Sequence, residues 1–520
     1  MAFSPGRKAK LTLLGSYMAK TPDPARGYAL AALTGGLDFI GAKPATIRAL
    51  MAERVDAELF AMSYDYVGDL AETAALMWPE PINPSSSPAL TDVVERLLEA
   101  DRKATGFLIA GWLDALDAEG RWALLKLATG GMRVGVSARL AKTALAERFG
   151  QPLEDIEEVW HGLRPPYQEL FAWLSGTGPK PDPGRGAGFR PVMLANPLEE
   201  NALSGLSPRD FVAEWKWDGV RVQAVSRGGE KRLYTRTGDD ISGSFPDVVS
   251  AFSFEGVVDG ELLIEAGSDG EGLRQVSPFA DLQKRLGRKR PSAKLMAASP
   301  AFIRAYDLLF DGADDLRPLP LTERRARLEV WGETGPGPFD LSPLVPFDDW
   351  DALSRLRAGA RAAGVEGLML KRRDARYVAG RPQGPWFKWK RDPLTLDLVV
   401  MYAQRGHGRR SSFYSDYTFG AWTEAGELAP VGKAYSGYTD EELRRLDRWV
   451  RDNATERYGP VRAVRPGLVF EVAFDAAQRS TRHKSGVALR FPRIKRIRWD
   501  KPAEEADRLR AVLALADGGA

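Results

Sequence analysis

The chain has 520 residues, enough for about three domains of ordinary size. Its 73 basic and 70 acidic residues give a net charge of only +3, which by itself indicates no class of partner. There is no cysteine, so disulfides and zinc sites with cysteine ligands are excluded. The three histidines, His161, His407 and His483, are too scattered for a histidine-rich metal site.

The sequence has no run of about 20 apolar residues, the length that spans a bilayer. Residues 1–20 contain a short apolar patch that Gly15 and Ser16 interrupt, and no convincing cleavage site follows it. We therefore expect a protein without membrane contact, located in the cytoplasm and associated with the nucleoid if bacterial.

Residues 1–180 are predicted to form an all-helical domain. Apolar residues recur three and four positions apart, for example at 92–100 and 107–116. Residues 132–136 (MRVGV) end one helical pattern, and another follows at 138–149. A helix N-terminus flanked by glycine offers free N–H groups to a phosphate, although the same pattern is typical of an ordinary helix–helix turn.

A linker and a change of periodicity follow the helices. Residues 176–188 (GTGPKPDPGRGAG) are rich in proline and glycine, and alternation at 220–225 and 232–237 predicts a β-hairpin. Further elements are predicted as strands at 257–264, 302–309, 367–371 and 386–390, with helices at 322–330 and 350–363. Residues 190–392 are therefore predicted to form an α+β domain with antiparallel sheet.

Pro393 is predicted to end that domain. Strands are expected within 396–422 and at 468–474 and 489–499, with one helix at 440–456. Residues 393–520 have the length and pattern of a small β-barrel of the oligonucleotide-binding type.

Lys216 lies between two tryptophans in residues 213–221 (AEWKWDGVR). A strand that placed this lysine in a half-buried, aromatic-walled pocket would disfavour its charged form, as a nucleophile near neutral pH requires. Asp218-Gly219 would let the backbone turn tightly beside it. The same local pattern also fits a surface strand whose lysine extends over apolar neighbours.

Charged residues recur inside strands that should be apolar, where unpaired charge is rare. The residues that we expect to converge on one pocket are Lys216, Glu261, Glu366, Lys388 and Lys390. The acids would hold Mg²⁺ through oxygen, and the lysines would neutralise phosphates during a phosphoryl or nucleotidyl transfer. Tyr306 is available to stack a base.

The order of these motifs resembles that of the ATP-dependent DNA ligases, within the covalent nucleotidyltransferase superfamily. The matching segments are 216–221 (KWDGVR), 235–238 (TRTG), 259–261 (DGE), 306–307 (YD), 366–371 (EGLMLK), 386–390 (WFKWK) and, in the last domain, Arg490 to Lys501. The segment 132–136 is similar to the phosphate-contacting segment of the family's DNA-binding domain. The resemblance implies an all-α N-terminal domain, an α+β nucleotidyltransferase domain with ATP-grasp-like antiparallel sheets, and a C-terminal OB-fold.

The resemblance also implies roles in nucleotide binding. Lys216 would be the nucleophile that carries AMP, and Glu214 would read the amino edge of adenine. Tyr306 would stack on adenine, where the family commonly has phenylalanine. Lys388 and Lys390 would contact the α-phosphate.

Two acids and several arginines complete the implied nucleotide site. Glu261 and Glu366 would take the ribose and the metal ion, Mg²⁺. Arg221 and Arg236 would contact the sugar or the phosphates at the nick. Arg381 is the best match to the arginine that precedes the fifth motif, with one extra residue between them.

The last domain would supply contacts to pyrophosphate and DNA. Arg498 and Lys501 would orient the leaving pyrophosphate. Residues 479–501 carry nine basic residues and one acid, which indicates a basic face, and the loop that starts at Arg405 adds further positive charge. The DNA contacts implied are Arg133, Arg405, Arg490 and Arg493.

The implied reaction seals a nick in duplex DNA in three steps, through a lysyl-AMP formed from ATP, by a monomer that encircles its substrate. An RNA ligase or a capping guanylyltransferase shares Lys-x-Asp-Gly, but the long helical domain resembles the DNA ligases. A non-catalytic DNA clamp is a further alternative, against which the intact set of acids and lysines argues. An NAD-dependent ligase is disfavoured because the zinc site of that family needs cysteine.

Overall fold

The structure is a computed structural model of the chain. It describes residues 6–80, 86–132, 134–182, 187–268, 273–288, 290–335, 337–406, 413–481 and 483–518. Over these ranges, no helix is both long and apolar enough to cross a bilayer.

The first third of the chain is helical, as predicted. Its helices are α1 (Arg7–Lys20), α2 (Ala25–Thr34), α3 (Pro44–Ala52), α4 (Ala57–Val67), α5 (Leu70–Met77), α6 (Leu90–Glu99), α7 (Arg102–Ala115), α8 (Ala118–Ala128), α9 (Ala138–Phe149), α10 (Leu153–Trp160) and α11 (Gln168–Leu174). Asp56, Asp69 and Ser137 begin three of them, because each side chain accepts a hydrogen bond from the backbone N–H three residues later. Leu30 and Leu145 are among the fully buried residues that pack α2 and α9 together.

The middle of the chain alternates strands and short helices. The strands are β1 (Asn196–Pro197), β2 (Phe211–Lys216), β3 (Val220–Arg227), β4 (Glu230–Thr235), β5 (Gly256–Ser268), β6 (Arg274–Val276), β7 (Ala301–Asp311), β8 (Asp314–Asp315), β9 (Phe339–Leu341), β10 (Leu344–Val345), β11 (Gly367–Arg372) and β12 (Trp386–Lys390). The helices are α12 (Pro246–Ser250), α13 (Phe279–Leu286), α14 (Ala293–Ala298), α15 (Leu321–Glu333) and α16 (Trp350–Ala358).

Two sheets carry this middle region. One has the strand order β1-β12-β11-β2-β10, and the other has β4-β3-β5-β7-β8, with β6 beside β5 and β9 beside β7. The pairs β1–β12 and β7–β9 are parallel, so the sheets are not wholly antiparallel as predicted. The chain crosses between the sheets through the segment from Lys216 to Val220, which brings residues of both sheets to one place.

The C-terminal region is rich in strands. Its elements are β13 (Leu394–Arg405), β14 (Tyr414–Trp422), β15 (Leu428–Ala434), α17 (Asp440–Asn453), β16 (Ala454–Tyr458), β17 (Val461–Val464), β18 (Val469–Phe474), β19 (Ala476–Arg479), β20 (Val487–Arg490), β21 (Arg493–Arg498) and α18 (Leu509–Ala516). Strand β13 pairs with β14, β17 and β18, and β18 pairs with β21. Leu398, Phe419 and Phe470 lie in its buried core.

Several predicted elements have different ends in the structure. The helix predicted at 350–363 stops at Ala358, and the one predicted at 440–456 stops at Asn453, where β16 begins. The strand predicted at 489–499 is two strands, β20 and β21. Phe491 and Pro492 separate β20 from β21. Phe491 has φ of 51°, and Pro492 cannot donate a ladder hydrogen bond, so neither residue continues the strand.

The chain forms two compact units, which divide it as Met1–Ile40, Pro88–Asp101 and Lys126–Arg391 in the first unit, and Gly41–Ser87, Arg102–Leu125 and Asp392–Ala520 in the second. The N-terminal helices are thus divided between the units. The division into domains at 1–180, 190–392 and 393–520 stays a prediction.

A buried ion pair joins α15 to β7 and gives a test of this fold. Arg324 Nε and Nη2 donate to the two carboxylate oxygens of Asp307 at 2.8 and 2.9 Å, and both side chains are fully buried. We expect Asp307→Asn to lower the free energy of unfolding by about 3–5 kcal/mol, because the guanidinium is left buried without its counter-charge. Urea denaturation followed by tryptophan fluorescence measures this loss.

The matched control is the exposed pair of Asp311 with Arg327, 2.7 Å apart. Asp311→Asn should change stability little, because solvent screens an exposed pair. Equal effects of the two substitutions would contradict the importance of the buried pair.

Candidate active site

Lys216 lies at the end of β2, with a carboxylate against its amine. Its Nζ is 2.6 Å from Glu366 Oε2, and 23% of its side chain is exposed. Side chains alternate along a strand, so Trp215 points to the opposite face and packs in a cluster beneath the sheet. The ring of Trp217 lies under the guanidinium of Arg304, 4.1 Å from the ring centre. The two flanking tryptophans therefore contact other groups, and the partner that the structure gives Lys216 is a carboxylate.

Glu366 lies between two lysines because three strands meet at its backbone. Its N–H donates to the carbonyl of Lys216 at 2.8 Å, and its own carbonyl accepts from Arg391 N–H at 2.9 Å. Its carboxylate is 3.3 Å from Lys390 Nζ, in addition to the contact with Lys216. Burial alone would raise the pKa of Glu366, but the two ammonium groups outweigh burial and lower it. Glu366 is thus a charged acceptor at neutral pH.

Gly367 lets these strands approach so closely. It pairs with Lys216 on one side and with Lys390 on the other. Its φ is 139°, and a Cβ at this position would lie 2.3 Å from the carbonyl oxygen of Trp389. A side chain here would push β12 away and separate Glu366 from Lys390.

Glu261 comes to the same place from β5. A Cβ on Gly219 would lie 2.5 Å from the carbonyl oxygen of Leu262 and 2.9 Å from Cγ of Glu261, so β5 passes directly against the turn after Lys216. The predicted tight turn at Asp218-Gly219 is thus explained by this close approach. Burial raises the pKa of Glu261 to about 8, although Lys216 and Arg221 partly oppose the rise. Burial therefore favours the protonated form of this carboxyl at pH 7.

Glu214 forms a buried ion pair with Lys371, a residue to which sequence reasoning gave no role. Lys371 Nζ donates to Glu214 Oε1 at 2.7 Å, and at most 4% of either side chain is exposed. The same ammonium lies 4.6 Å from the ring centre of Tyr306 and 4.9 Å from that of Trp386. The register of β11 and β2 places Lys371 opposite Val212, two residues from Glu214, and the sequence contained no signal for this pair.

Tyr306 is partly exposed within a mostly buried strand. Its neighbours on β7, residues 301–305 and 307–310, are buried, whereas Tyr306 keeps part of its side chain exposed. Its hydroxyl donates to Asp259 at 3.4 Å. Burial raises the pKa of Tyr306 well above its usual value, so the phenol stays protonated.

Arg221 is engaged within the protein. Its guanidinium donates to both carboxylate oxygens of Asp259 through Nε (3.0 Å) and Nη2 (2.5 Å), and through Nη1 to the carbonyl of Met193 at 2.6 Å. Nη2 also donates to the hydroxyl of Tyr377 at 3.1 Å. These partners leave little of the guanidinium for the phosphate or sugar that the sequence suggested. Asp259 and Tyr377 are members of this network that the sequence did not reveal.

Positive charge gathers around Lys388. Burial lowers the pKa of Lys388, and Arg381, Lys216, Lys390 and Arg236 lower it further by repulsion. All four basic groups are thus close enough to repel its ammonium. Such a concentration of positive charge suits a polyphosphate.

Met369 is a further residue without a predicted role. It pairs with Lys388 on one side and with Glu214 on the other, so its side chain lies between theirs on the same face of the sheet. An unbranched thioether in this position offers a polarisable surface for a flat ring.

The residues predicted in the C-terminal region lie in the second unit. Asp397 Oδ2 is 3.2 Å from Arg498 Nη1 and 2.8 Å from Lys501 Nζ. Asp500 accepts from Arg498 at 2.9 Å. The predicted pyrophosphate contacts thus already have carboxylate partners, of which Asp397 was not predicted.

Three of the four arginines predicted to contact DNA lie in the C-terminal region, each beside a residue of the protein itself. Arg490 lies against the ring of Phe491 at 5.2 Å, Arg493 is 3.2 Å from Asp475, and Arg405 lies 5.9 Å from the ring centre of Tyr414. Arg133 and the loop at 407–412 lie outside the described residues.

Three residues of the predicted phosphate-contacting segment 132–136 line an open groove. The groove has a volume of about 640 Å³, and Met132, Gly135, Val136 and Ser137 contribute to its lining at the N-terminus of α9. Arg7 also lines this groove.

Comparison with known proteins matches both the middle and the C-terminal regions. Residues 192–390 match the family model "ATP dependent DNA ligase domain", and residues 410–501 match "ATP dependent DNA ligase C terminal region". A "Probable DNA ligase" of Koribacter versatilis is 36% identical over 413 residues, which cover 74% of this chain and 70% of that protein. "DNA ligase 1" of Korarchaeum cryptofilum is 34% identical over 447 residues, covering 82% and 79%.

The solved structure named "Pmar-Lig_PreS3" has a similar fold. It aligns with a TM-score of 0.60 over 96% of this chain and 97% of that chain, at 17% sequence identity.

The raised pKa of Glu261 makes stability depend on pH. The folded protein keeps this proton up to a pKa of about 8, whereas the unfolded chain releases it near the ordinary glutamate pKa of 4.5. Stability from this group is complete below pH 4.5 and is lost as pH rises through 8. We expect Glu261→Gln to become more stable than wild type by on the order of a few kcal/mol between pH 5 and 9. Urea denaturation in EDTA at a series of pH values measures this difference.

Glu265→Gln is the matched control, because Glu265 lies on the same strand but pairs with Arg274 at 2.8 Å. It reports what the exchange of an ion-paired, partly exposed acid for an amide on this strand does to stability. Curves of wild type and Glu261→Gln that stay parallel from pH 5 to 9 would contradict the raised pKa.

Proposed function

The chain belongs to the family of ATP-dependent DNA ligases, and we propose that it joins a 3′-hydroxyl to a 5′-phosphate at a nick in duplex DNA through a lysyl-AMP. The observation that carries this proposal is the position of Lys216 Nζ, 2.6 Å from Glu366 and next to Glu261 and the lysines of β12. A nucleophile, one charged proton acceptor and phosphate-binding cations thus meet at the end of one strand.

In the first step, Lys216 attacks the α-phosphorus of ATP. The amine must give up a proton to do so, and the charged carboxylate of Glu366 is the acceptor in contact with it. The N–P bond forms as the bond to pyrophosphate breaks. Lys388 and Lys390 are placed to neutralise the charge that develops on the α-phosphate.

The second and third steps use the DNA ends. An oxygen of the 5′-phosphate attacks the phosphorus of the lysyl-AMP, and the P–N bond breaks, which returns the amine to Lys216. The 3′-hydroxyl then attacks the 5′-phosphorus, which forms the phosphodiester and expels AMP. The P–N bond stores the activation between the two substrates.

Glu261 and Glu366 are the residues that would hold Mg²⁺. The described residues contain no group of three or more His, Asp or Glu side chains suited to a metal ion. Two carboxylates nevertheless fit Mg²⁺, which is commonly held by one or two carboxylates, substrate phosphates and water. The ion would offset the charge on the transferring phosphate. Glu261 would release its proton when it binds the ion.

The nucleotide base would lie over Tyr306. Glu214, fixed by Lys371, would accept a hydrogen bond from the amino group of adenine, because an ionised carboxylate only accepts. Met369 would contact the base from β11. Arg221 would act through Asp259, and Arg236 and Arg381 would face phosphates.

The C-terminal region would close on the substrate as an OB-fold. Antiparallel strands β13–β21 with one interposed helix suit that fold. Arg498 and Lys501 would orient pyrophosphate after leaving Asp397 and Asp500. Arg405, Arg490 and Arg493, together with Arg133 of the helical domain, would contact the DNA backbone, so that affinity falls steeply with salt. A monomer with three domains, at 1–180, 190–392 and 393–520, would encircle the duplex.

Lys216→Arg tests the proposal. Arginine keeps the positive charge but is not a nucleophile, so we expect no AMP adduct, nick joining reduced about a thousandfold or more, and retained binding of nicked duplex. Peptide mass analysis after incubation with ATP and Mg²⁺, a joining assay and a binding titration measure the three properties.

Lys284→Arg, an exposed position on α13, is the matched control and should form the adduct at the wild-type rate. A GMP adduct on wild-type Lys216, formed in preference to AMP, would favour a capping guanylyltransferase. Joining of nicked RNA in preference to DNA would favour an RNA ligase. Wild-type protein that binds DNA without forming any adduct would be a clamp.

A further inference from the structure

His161, which follows α10, lies directly against a turn of the catalytic region. The turn is formed by Thr235–Asp239, and its Gly238 has φ of 86°. A Cβ on Gly238 would lie 2.2 Å from Cε1 of His161. The imidazole therefore touches the backbone of the turn at a position where only glycine leaves room for it.

Aromatic rings hold the imidazole in this position. The ring of Phe189 meets it edge-on, with 4.6 Å between ring centres, and Phe189 in turn contacts Tyr234 at 5.8 Å. Tyr234 immediately precedes the turn, and its hydroxyl donates to the carbonyl of Ala187 at 2.7 Å. The turn is thus supported from its base and from its side.

The imidazole is neutral in this position. Burial lowers the pKa of His161 to about 4, and the nearby charges of Lys142 and Arg190 lower it further, whereas Asp239 opposes them. Its contact with the turn therefore depends on the shape of the ring.

The turn that His161 supports is internally rigid and carries Arg236. Thr235 N–H donates to the carbonyl of Asp239, and Gly238 N–H donates to the carbonyl of Thr235, both at 2.9 Å. The hydroxyl of Thr237 donates to the carboxylate of Asp239. Arg236 is exposed and close enough to Lys388 to lower the pKa of that amine. A displacement of the turn would therefore displace Arg236 relative to the lysines.

Other contacts hold the same helices to the catalytic region. Arg317 forms a two-fold hydrogen bond with Glu158 of α10 at 2.9 and 3.1 Å, and Arg190 is 3.6 Å from the same carboxylate. A Cβ on Gly380 would lie 3.1 Å from the guanidinium of Arg139 on α9. Among these contacts, the one made by His161 involves the turn Thr235–Asp239, which carries Arg236.

We propose that His161 is a positioning residue that holds Arg236 where it meets the phosphate at the DNA nick. The inference rests on the proposed function, since it needs a reaction with DNA after lysyl-AMP formation. It assigns the helical region a part in strand joining in addition to DNA binding. Loss of the ring should slow the steps that involve DNA and leave the reaction with ATP unchanged.

The experiment compares His161→Ala, His161→Phe and, as a matched control, Glu154→Ala, an exposed position at the other end of α10. We expect His161→Ala to form lysyl-AMP at the wild-type rate and to bind nicked duplex with unchanged Kd. In single-turnover reactions of pre-adenylylated protein, its transfer of AMP and sealing should be slower by about tenfold to a hundredfold. His161→Phe should recover most of this rate because the ring is uncharged, and Glu154→Ala should match wild type.

Gly238→Ala perturbs the contact from the other side and should show the same defect confined to the DNA steps. Sealing by His161→Ala at the wild-type rate would overturn the proposal, and so would an equal loss in lysyl-AMP formation. If His161→Ala fails to fold, His161→Phe and Gly238→Ala test the proposal instead. Sealing by Gly238→Ala at the wild-type rate would contradict the proposal, and so would the absence of sealing by folded His161→Phe. Wild-type protein that forms no lysyl-AMP would instead contradict the proposed function.

Discussion

The carboxylate of Glu366 lies between the ammonium groups of Lys216 and Lys390, at 2.6 and 3.3 Å, and the candidate site is arranged around this contact. A carboxylate in such a buried place is stable only with cations beside it, because burial alone would favour its neutral form. The two cations come from strands on either side of β11, so the charge balance of the site depends on the register of three strands. Glu261, which faces the same cluster without a direct cation, keeps its proton instead.

The residues of the site could be anticipated from the sequence because charged residues inside an apolar strand are rare unless they have a partner or a function. Lys216, Glu261, Glu366, Lys388 and Lys390 all had that signal, and the structure brings them together. The partner of each residue could not be anticipated. Glu214 pairs with Lys371 and Arg221 with Asp259 because of strand register and sheet contact, which are properties of the three-dimensional fold. Trp215 does not face the same way as Lys216, because neighbouring residues of a strand point to opposite faces.

Helices and strands with a strong apolar period were predicted close to their observed positions, such as α9 and β12. Errors occurred where tertiary contacts decide. The end of α17 is set by the pairing of β16 with β17, and the parallel strand β1 has two residues and lies far in sequence from its partner β12. Backbone with unusual conformation also escaped prediction, as at Phe491. Such features depend on tertiary neighbours, about which the apolar period of the sequence carries no information.

The close approaches at Gly219, Gly238 and Gly367 separate two kinds of mutational tolerance in this protein. Exchanging Lys216, whose side chain is partly exposed, removes a reactive group and leaves the backbone in place. Adding a single methyl group at any of these glycines would instead move a strand, a turn or a helix, because each faces a different neighbour at less than 3 Å. The glycine positions therefore restrict substitution in this fold as strictly as the positions of the reactive side chains do.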